Sequence, residues 1–174
     1  ETLGCDLTIL DTVPGTTTVL DGPGDDLVTL YGVGGPLTLV SGAGDADELI
    51  VERADAADTL IGELAAGEVS GLGLPVPVGY GGFEQVLVNL GAGSDRLTIR
   101  GTSGDTTVNA GGGDDEVRVR AIAGPTEVRG GDATNAYGTG DDDTVTLELP
   151  APNAPAPAPL DDLGVAVETL RGGH

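Results

Sequence analysis

The stretch Gly91-Ala92-Gly93-Ser94-Asp95-Arg96-Leu97-Thr98-Ile99 returns 20 residues later as Gly111-Gly112-Gly113-Asp114-Asp115-Glu116-Val117-Arg118-Val119. Each is a glycine-rich acidic turn that runs into four residues of alternating character. A further copy is Gly22-Pro23-Gly24-Asp25-Asp26 before Leu27-Val28-Thr29-Leu30. Two looser copies carry an extra residue: Gly42-Ala43-Gly44-Asp45-Ala46-Asp47 before Glu48-Leu49-Ile50-Val51, and Gly138-Thr139-Gly140-Asp141-Asp142-Asp143 before Thr144-Val145-Thr146-Leu147. The period-2 alternation sets Val28/Leu30, Leu49/Val51, Leu97/Ile99, Val117/Val119 and Val145/Leu147 on one face of a strand.

A second short strand precedes each turn, with inward positions at Thr17/Val19, Leu37/Leu39, Val86/Val88, Thr106/Val108 and Thr126/Val128. The repeating unit is therefore strand, acidic turn, strand, second turn. Such a unit cannot bury its apolar face alone, and stacking copies in register buries a continuous column of Val, Leu and Ile. The expected fold is all-β: a parallel β-solenoid (β-helix or β-roll) with coils of about 20 residues and the Gly-Asp turns stacked on one edge. Gly and β-branched residues disfavour helices. Residues 54–68 alone would allow a short helix, and strands are the preferred reading there.

The expected organisation is a solenoid domain over residues 1–149, with a surface excursion at 71–82. The Ala/Pro-rich stretch 150–159 reads as an extended linker or strap. Residues 160–174 read as a terminal strand, centred on Val165-Ala166-Val167, that could connect to a neighbour.

Composition narrows the function. Aromatic residues are 2% of the 174-residue chain, which excludes a core built on large rings, while 39% apolar residues exceed what a disordered acidic chain carries. The net charge is -22 and all seven basic residues are Arg. Such a surface repels DNA, RNA and anionic lipid and attracts cations. A lone Cys5 excludes an internal disulfide or a four-thiolate zinc site, and the lone His174 leaves little material for histidine chemistry. No run approaches the roughly 18 apolar residues of a membrane span. The chain starts at Glu1 without a charged-then-apolar leader, the pattern of a processed product, a cut-out module or a partial chain.

The turn has a chemical reading of its own. Gly at its first and third positions permits positive φ and turns carbonyls outward. The Asp that follows swings back over the turn. Stacked turns then offer the mixed carbonyl and carboxylate oxygens that Ca2+ prefers. The candidate metal ligands are Gly22, Gly24 and Asp26; Gly42, Gly44, Asp45 and Asp47; Gly91, Gly93 and Asp95; Gly111, Gly113 and Asp115; and Gly138, Gly140 and Asp142. Asp25, Asp114 and Asp141 face solvent or share a site, whereas Asp55, Asp58 and Glu63 read as a solvated face. Arg118, Arg120 and Arg129 read as exposed partners for nearby acids.

The Gly-x-Gly-x-Asp-x-apolar-x pattern resembles the repeats-in-toxin (RTX) calcium-binding family. Phe83–Leu147 is similar to the tandem modules of giant bacterial surface proteins, in the stretches Val86–Asp95, Thr106–Asp115 and Ile122–Thr126. The resemblance implies a calcium-stabilised β-roll or β-helix that is secreted and structural or adhesive. Only one turn per coil matches, so a single row of ions along one edge is the expectation here.

The expected function is thus a calcium-stabilised, non-enzymatic structural module of an extracellular or cell-surface filament, matrix or adhesin. Its expected partners are copies of itself or adjacent tandem modules end to end, and cell-surface or matrix carbohydrate. The alternatives are a β-helix polysaccharide-acting enzyme, a carbohydrate-binding adhesin domain, and an ice-binding face, the last interrupted by Ile50 and Arg118 in an otherwise Thr-rich outward column.

Overall fold

The computed structural model describes residues 4–44, 46–53, 59–130 and 143–148. Fourteen short strands and no helix occur among them. Strands β1 (Asp6–Ile9), β3 (Leu27–Leu30), β5 (Glu48–Glu52), β9 (Gln85–Asn89), β11 (Asp105–Asn109) and β13 (Thr126–Arg129) form one sheet in that spatial order. The other sheet runs β14 (Thr144–Leu147), β12 (Glu116–Val119), β10 (Arg96–Ile99), β6 (Ile61–Ala65), β7 (Glu68–Gly71), β8 (Val78–Gly81), β4 (Leu37–Val40), β2 (Thr17–Leu20). No helix among the described residues is long and apolar enough to cross a membrane.

The all-β class stands, and the parallel β-solenoid does not. The strands form a six-stranded parallel sheet and an eight-stranded mixed sheet in a sandwich-like arrangement. The residues responsible lie between β5 and β9. After β6 the chain reverses at Ala66-Gly67, with Gly67 at φ 94°, so β7 pairs antiparallel with β6 and β8 antiparallel with β7. Gly71, Leu72 and Gly73 all hold positive φ. At Leu72 this left-handed backbone is unusual for a side chain that bulky. It is held there by full burial and by its N–H donating to the Ile61 carbonyl at 2.8 Å. The 71–82 stretch, expected as a surface excursion, instead supplies β8 and buries Leu72, Leu74, Val78 and Tyr80.

This three-strand passage also changes which sheet each turn serves. Before it, the acidic turns lead from the eight-stranded sheet into the six-stranded one, at β2–β3 and β4–β5. After it they lead the other way, at β9–β10, β11–β12 and β13–β14. The expectation of all Gly-Asp turns on one edge is therefore corrected: they occupy opposite edges in the two halves of the chain.

Inward residues follow the alternation. Register places Ile9, Leu30, Val51, Val88, Val108 and Val128 in one row across the six-stranded sheet, and Leu64, Ile99, Val119 and Leu147 in one row across the other. Most of these are buried in one apolar core that both sheets line. Leu147, on the last described strand, is half-exposed. Inner strands this short, such as β3, β5, β9, β10, β11 and β12, hold together because each buries two side chains between neighbours on both sides.

Candidate functional site

The acidic turns position their carboxylates through one local rule. The carboxylate immediately before a strand reaches across to the backbone N–H at the same position in the adjacent repeat. Asp26, Asp47, Asp95 and Asp115 all sit there, and all four are buried. Along the edge that feeds the six-stranded sheet, Asp26 Oδ1 accepts the Cys5 N–H at 2.7 Å. Asp47 Oδ1 accepts the Asp26 N–H at 2.8 Å, and Glu84 Oε2 accepts the Asp47 N–H at 2.9 Å. Along the opposite edge, Asp95 Oδ1 accepts the Leu60 N–H at 2.7 Å and Asp115 Oδ1 accepts the Asp95 N–H at 2.8 Å. Asp143 Oδ1 closes this series on the Asp115 N–H at 3.1 Å. Two carboxylate-to-amide ladders result, each satisfying backbone donors that the parallel strand pairing leaves over.

Each ladder carboxylate uses one oxygen for its amide. The second oxygen of Asp26, Asp47 and Asp95 is buried and accepts no hydrogen bond. A buried carboxylate oxygen without a donor or cation is costly. Its effect shows at Asp95, where burial pushes the carboxyl above its ordinary value against the opposing pull of the Leu60 N–H.

The glycines of the turns serve close stacking. Gly24, Gly91, Gly93, Gly111 and Gly113 hold positive φ as expected, whereas Gly22, Gly42 and Gly44 do not. At Gly42 the reason is space: a Cβ would lie 1.6 Å from the Gly22 carbonyl oxygen. The turns also bond directly to one another, the Gly112 N–H donating to the Gly91 carbonyl and the Gly93 N–H to the Gly112 carbonyl. Of the carbonyls expected to face a cation, that of Gly91 is thus engaged once, with one lone pair remaining.

The expected metal residues fall into three groups. Asp26 and Asp47 come together at one edge, and Asp95 and Asp115 at the other. Asp45, Gly138, Gly140 and Asp142 lie outside the described residues. The ladder position of the fifth turn belongs to Asp143, which directly precedes β14, and alignment from the strand start identifies it. Glu84 and Cys5 hold equivalent positions with no glycine motif to mark them.

At the start of the first ladder, Cys5 and Asp21 join Asp26. The exposed Cys5 Sγ donates to Asp21 Oδ1 at 3.0 Å. The Asp21 hydrogen bond, followed by desolvation and the charges of Asp21 and Asp26, pushes the thiol up to about 11.

Elsewhere, the outer face of the eight-stranded sheet carries a shallow groove of about 600 Å³ that includes Glu63, Arg96, Glu116, Arg118 and Arg120. Its charges are paired: Arg96 and Arg118 with Glu116 at 3.2 and 2.7 Å, and Arg120 with Glu148 at 2.8 Å. Arg118 holds the Glu116 carboxyl below its ordinary range. Exposed pairs of this kind each contribute little to stability. No protein-family model, no curated protein and no solved structure matches this chain.

Proposed function

We propose that this chain is a non-catalytic structural module of an extracellular or cell-surface filament, matrix or adhesin, stiffened by Ca2+ at its buried acidic turns. The observation that carries the reading is the set of second carboxylate oxygens on Asp26, Asp47 and Asp95, buried without a donor in a chain of net charge -22. These residues fit a hard cation: oxygen ligands and negative charge. Bound there, Ca2+ would neutralise the ladder charge and tie adjacent repeats together, so that binding adds to folding stability.

The extracellular filament or adhesin setting rests on the resemblance to RTX-type repeats. End-to-end association is supported by the sheets themselves. Among the described residues, β1 and β2 are outermost at one end and β13 and β14 at the other. Open edges of this kind pair with further strands, from a second copy or a tandem neighbour. The paired Arg and Glu side chains of the groove argue for a binding or structural surface over a catalytic one.

The test is thermal unfolding followed by circular dichroism in chelator and after calcium is restored. Calcium should raise the melting temperature of the native chain, and the gain should shrink in Asp47→Asn. Identical curves with and without calcium would overturn the calcium reading and leave hydrogen-bonded ladders only.

A further inference from the structure

The cluster of Cys5, Asp21 and Asp26 differs from the ladders by its sulfur. Cys5 directly precedes β1, Asp21 directly follows β2 and Asp26 directly precedes β3, so the fold gathers three separate chain points. The Cys5 sulfur and one oxygen from each carboxylate all lie within 4.8 Å of one another. Two contacts already shape the cluster: Cys5 Sγ to Asp21 Oδ1 at 3.0 Å, and Cys5 N–H to Asp26 Oδ1 at 2.7 Å. The Gly22 N–H, donating to Asp21 Oδ1 at 2.9 Å, fixes the second carboxylate.

A separate observation points to a ligand. Asp26 is only 3% exposed, and its Oδ2 is buried with no hydrogen bond. Asp21 Oδ2 is in the same condition. The two carboxylates that converge on the solvent-accessible thiol therefore each keep one buried oxygen without a donor.

We propose that Cys5, Asp21 and Asp26 form a binding site for a thiophilic divalent ion of the zinc class. Thiolate sulfur selects such ions over Ca2+ and Mg2+, which take oxygen ligands. One sulfur and two carboxylates supply three positions of a tetrahedral site and leave the fourth for water. Tetrahedral ligand atoms stand about 3.5 Å apart for bonds of this length, so a spread of up to 4.8 Å requires a small inward movement. Binding exchanges the thiol proton for the ion: the S–H bond breaks, a metal–sulfur bond forms, and one proton leaves to solvent. The exposure of Cys5 provides the entry path.

The test uses the full chain, kept reduced, titrated with Co2+ as a spectroscopic stand-in. The expected result is a thiolate-to-cobalt charge-transfer band with the visible bands of tetrahedral Co2+, saturating at about one equivalent. Zn2+ should displace Co2+, and excess Ca2+ should not. Cys5→Ser should abolish the charge-transfer band, and Asp21→Asn should weaken Co2+ binding at least about tenfold. A second measurement needs no variant: Zn2+ should slow alkylation of Cys5 in the native chain. Absence of the charge-transfer band, its persistence unchanged in Asp21→Asn, or alkylation indifferent to Zn2+ would each overturn the proposal. The site shares Asp26 with the calcium reading, yet the two fail separately, since melting unaffected by Ca2+ leaves the cobalt spectrum untouched.

Discussion

Asp115 Oδ1 accepts the backbone N–H of Asp95 at 2.8 Å, so one motif aspartate holds the main chain of the next across a separation of 20 residues. The contact explains why the acidic residue sits directly before the strand. Its side chain carries the hydrogen-bond pattern of the sheet into the turn, where strand pairing has ended. The same relation joins Asp47 to Asp26.

The ladder bond can be separated from ladder charge at Asp47, which is fully buried. Asp47→Asn and Asp47→Ala both remove the charge, but only Ala removes the acceptor for the Asp26 N–H. In chelator, Asp47→Ala should be less stable than Asp47→Asn by about 1–3 kcal/mol, the usual result of leaving a buried donor unsatisfied. Urea denaturation of the two variants checks this, and equal midpoints would deny the ladder a role in stability.

Asp95 has a pH signature. Its folded-state carboxyl is raised by burial, so the folded state favours the protonated form. The stabilisation this gives is fully present below the unfolded value near 3.8 and is lost as pH rises through the raised folded value. Without metal, Asp95→Asn should therefore gain stability over the native chain as pH rises from about 4 to 7. With calcium present the order should reverse, because a bound cation needs the charge. Chemical denaturation at both pH values, with and without chelator, decides the matter.

Adjacent glycines of one turn should respond differently. Gly113 holds φ 119°, and a Cβ there would lie 1.9 Å from the Gly93 carbonyl oxygen. Nothing lies within 4 Å of a Cβ at Gly112. Gly113→Ala should lose at least about 1–3 kcal/mol through backbone strain alone. Gly112→Ala should change stability by no more than about 0.5 kcal/mol. Melting temperatures of the two variants provide the comparison.

Tyr80 is buried in the core, and its hydroxyl donates to the Ala65 carbonyl at 2.8 Å, tying β8 to the end of β6. Burial raises its phenol above the ordinary value of 10. The associated stability is present below that value and lost as pH climbs through the folded one. Tyr80→Phe should remove the most alkaline component of the ultraviolet tyrosine titration. It should also lower stability at neutral pH by about 1 kcal/mol, the net contribution of one hydrogen bond.

Much of the strand pattern was legible in the residues. Alternation alone placed Val28, Leu30, Leu49, Val51, Leu97 and Ile99 in the core, because side-chain direction in a strand depends only on parity. The sheet arrangement was less accessible. Nothing at Ile61–Gly81 resembles a Gly-x-Gly-x-Asp turn, so no motif announces the double reversal that makes one sheet mixed and moves the later turns to the other edge. Spacing also says nothing about whether an aspartate points out of a turn or in. The inward direction arises from the unsatisfied amide in the neighbouring repeat, a tertiary fact. Asp143 could have been found by counting back from Thr144 rather than forward from Gly138. Cys5 and Asp21 could not, since only the stacking of β1 beside β3 brings them together.

The double reversal at β6–β8 also arranges the field around the molecule. The first carboxylate ladder ends at the exposed Glu84 on one long edge, and the second begins near Asp95 on the opposite edge. The two ladders are thus a staggered pair of carboxylate segments and not one continuous stripe. A flat cationic surface laid along either edge meets one segment only. Cations that neutralise both ladders must therefore enter from two sides of the molecule.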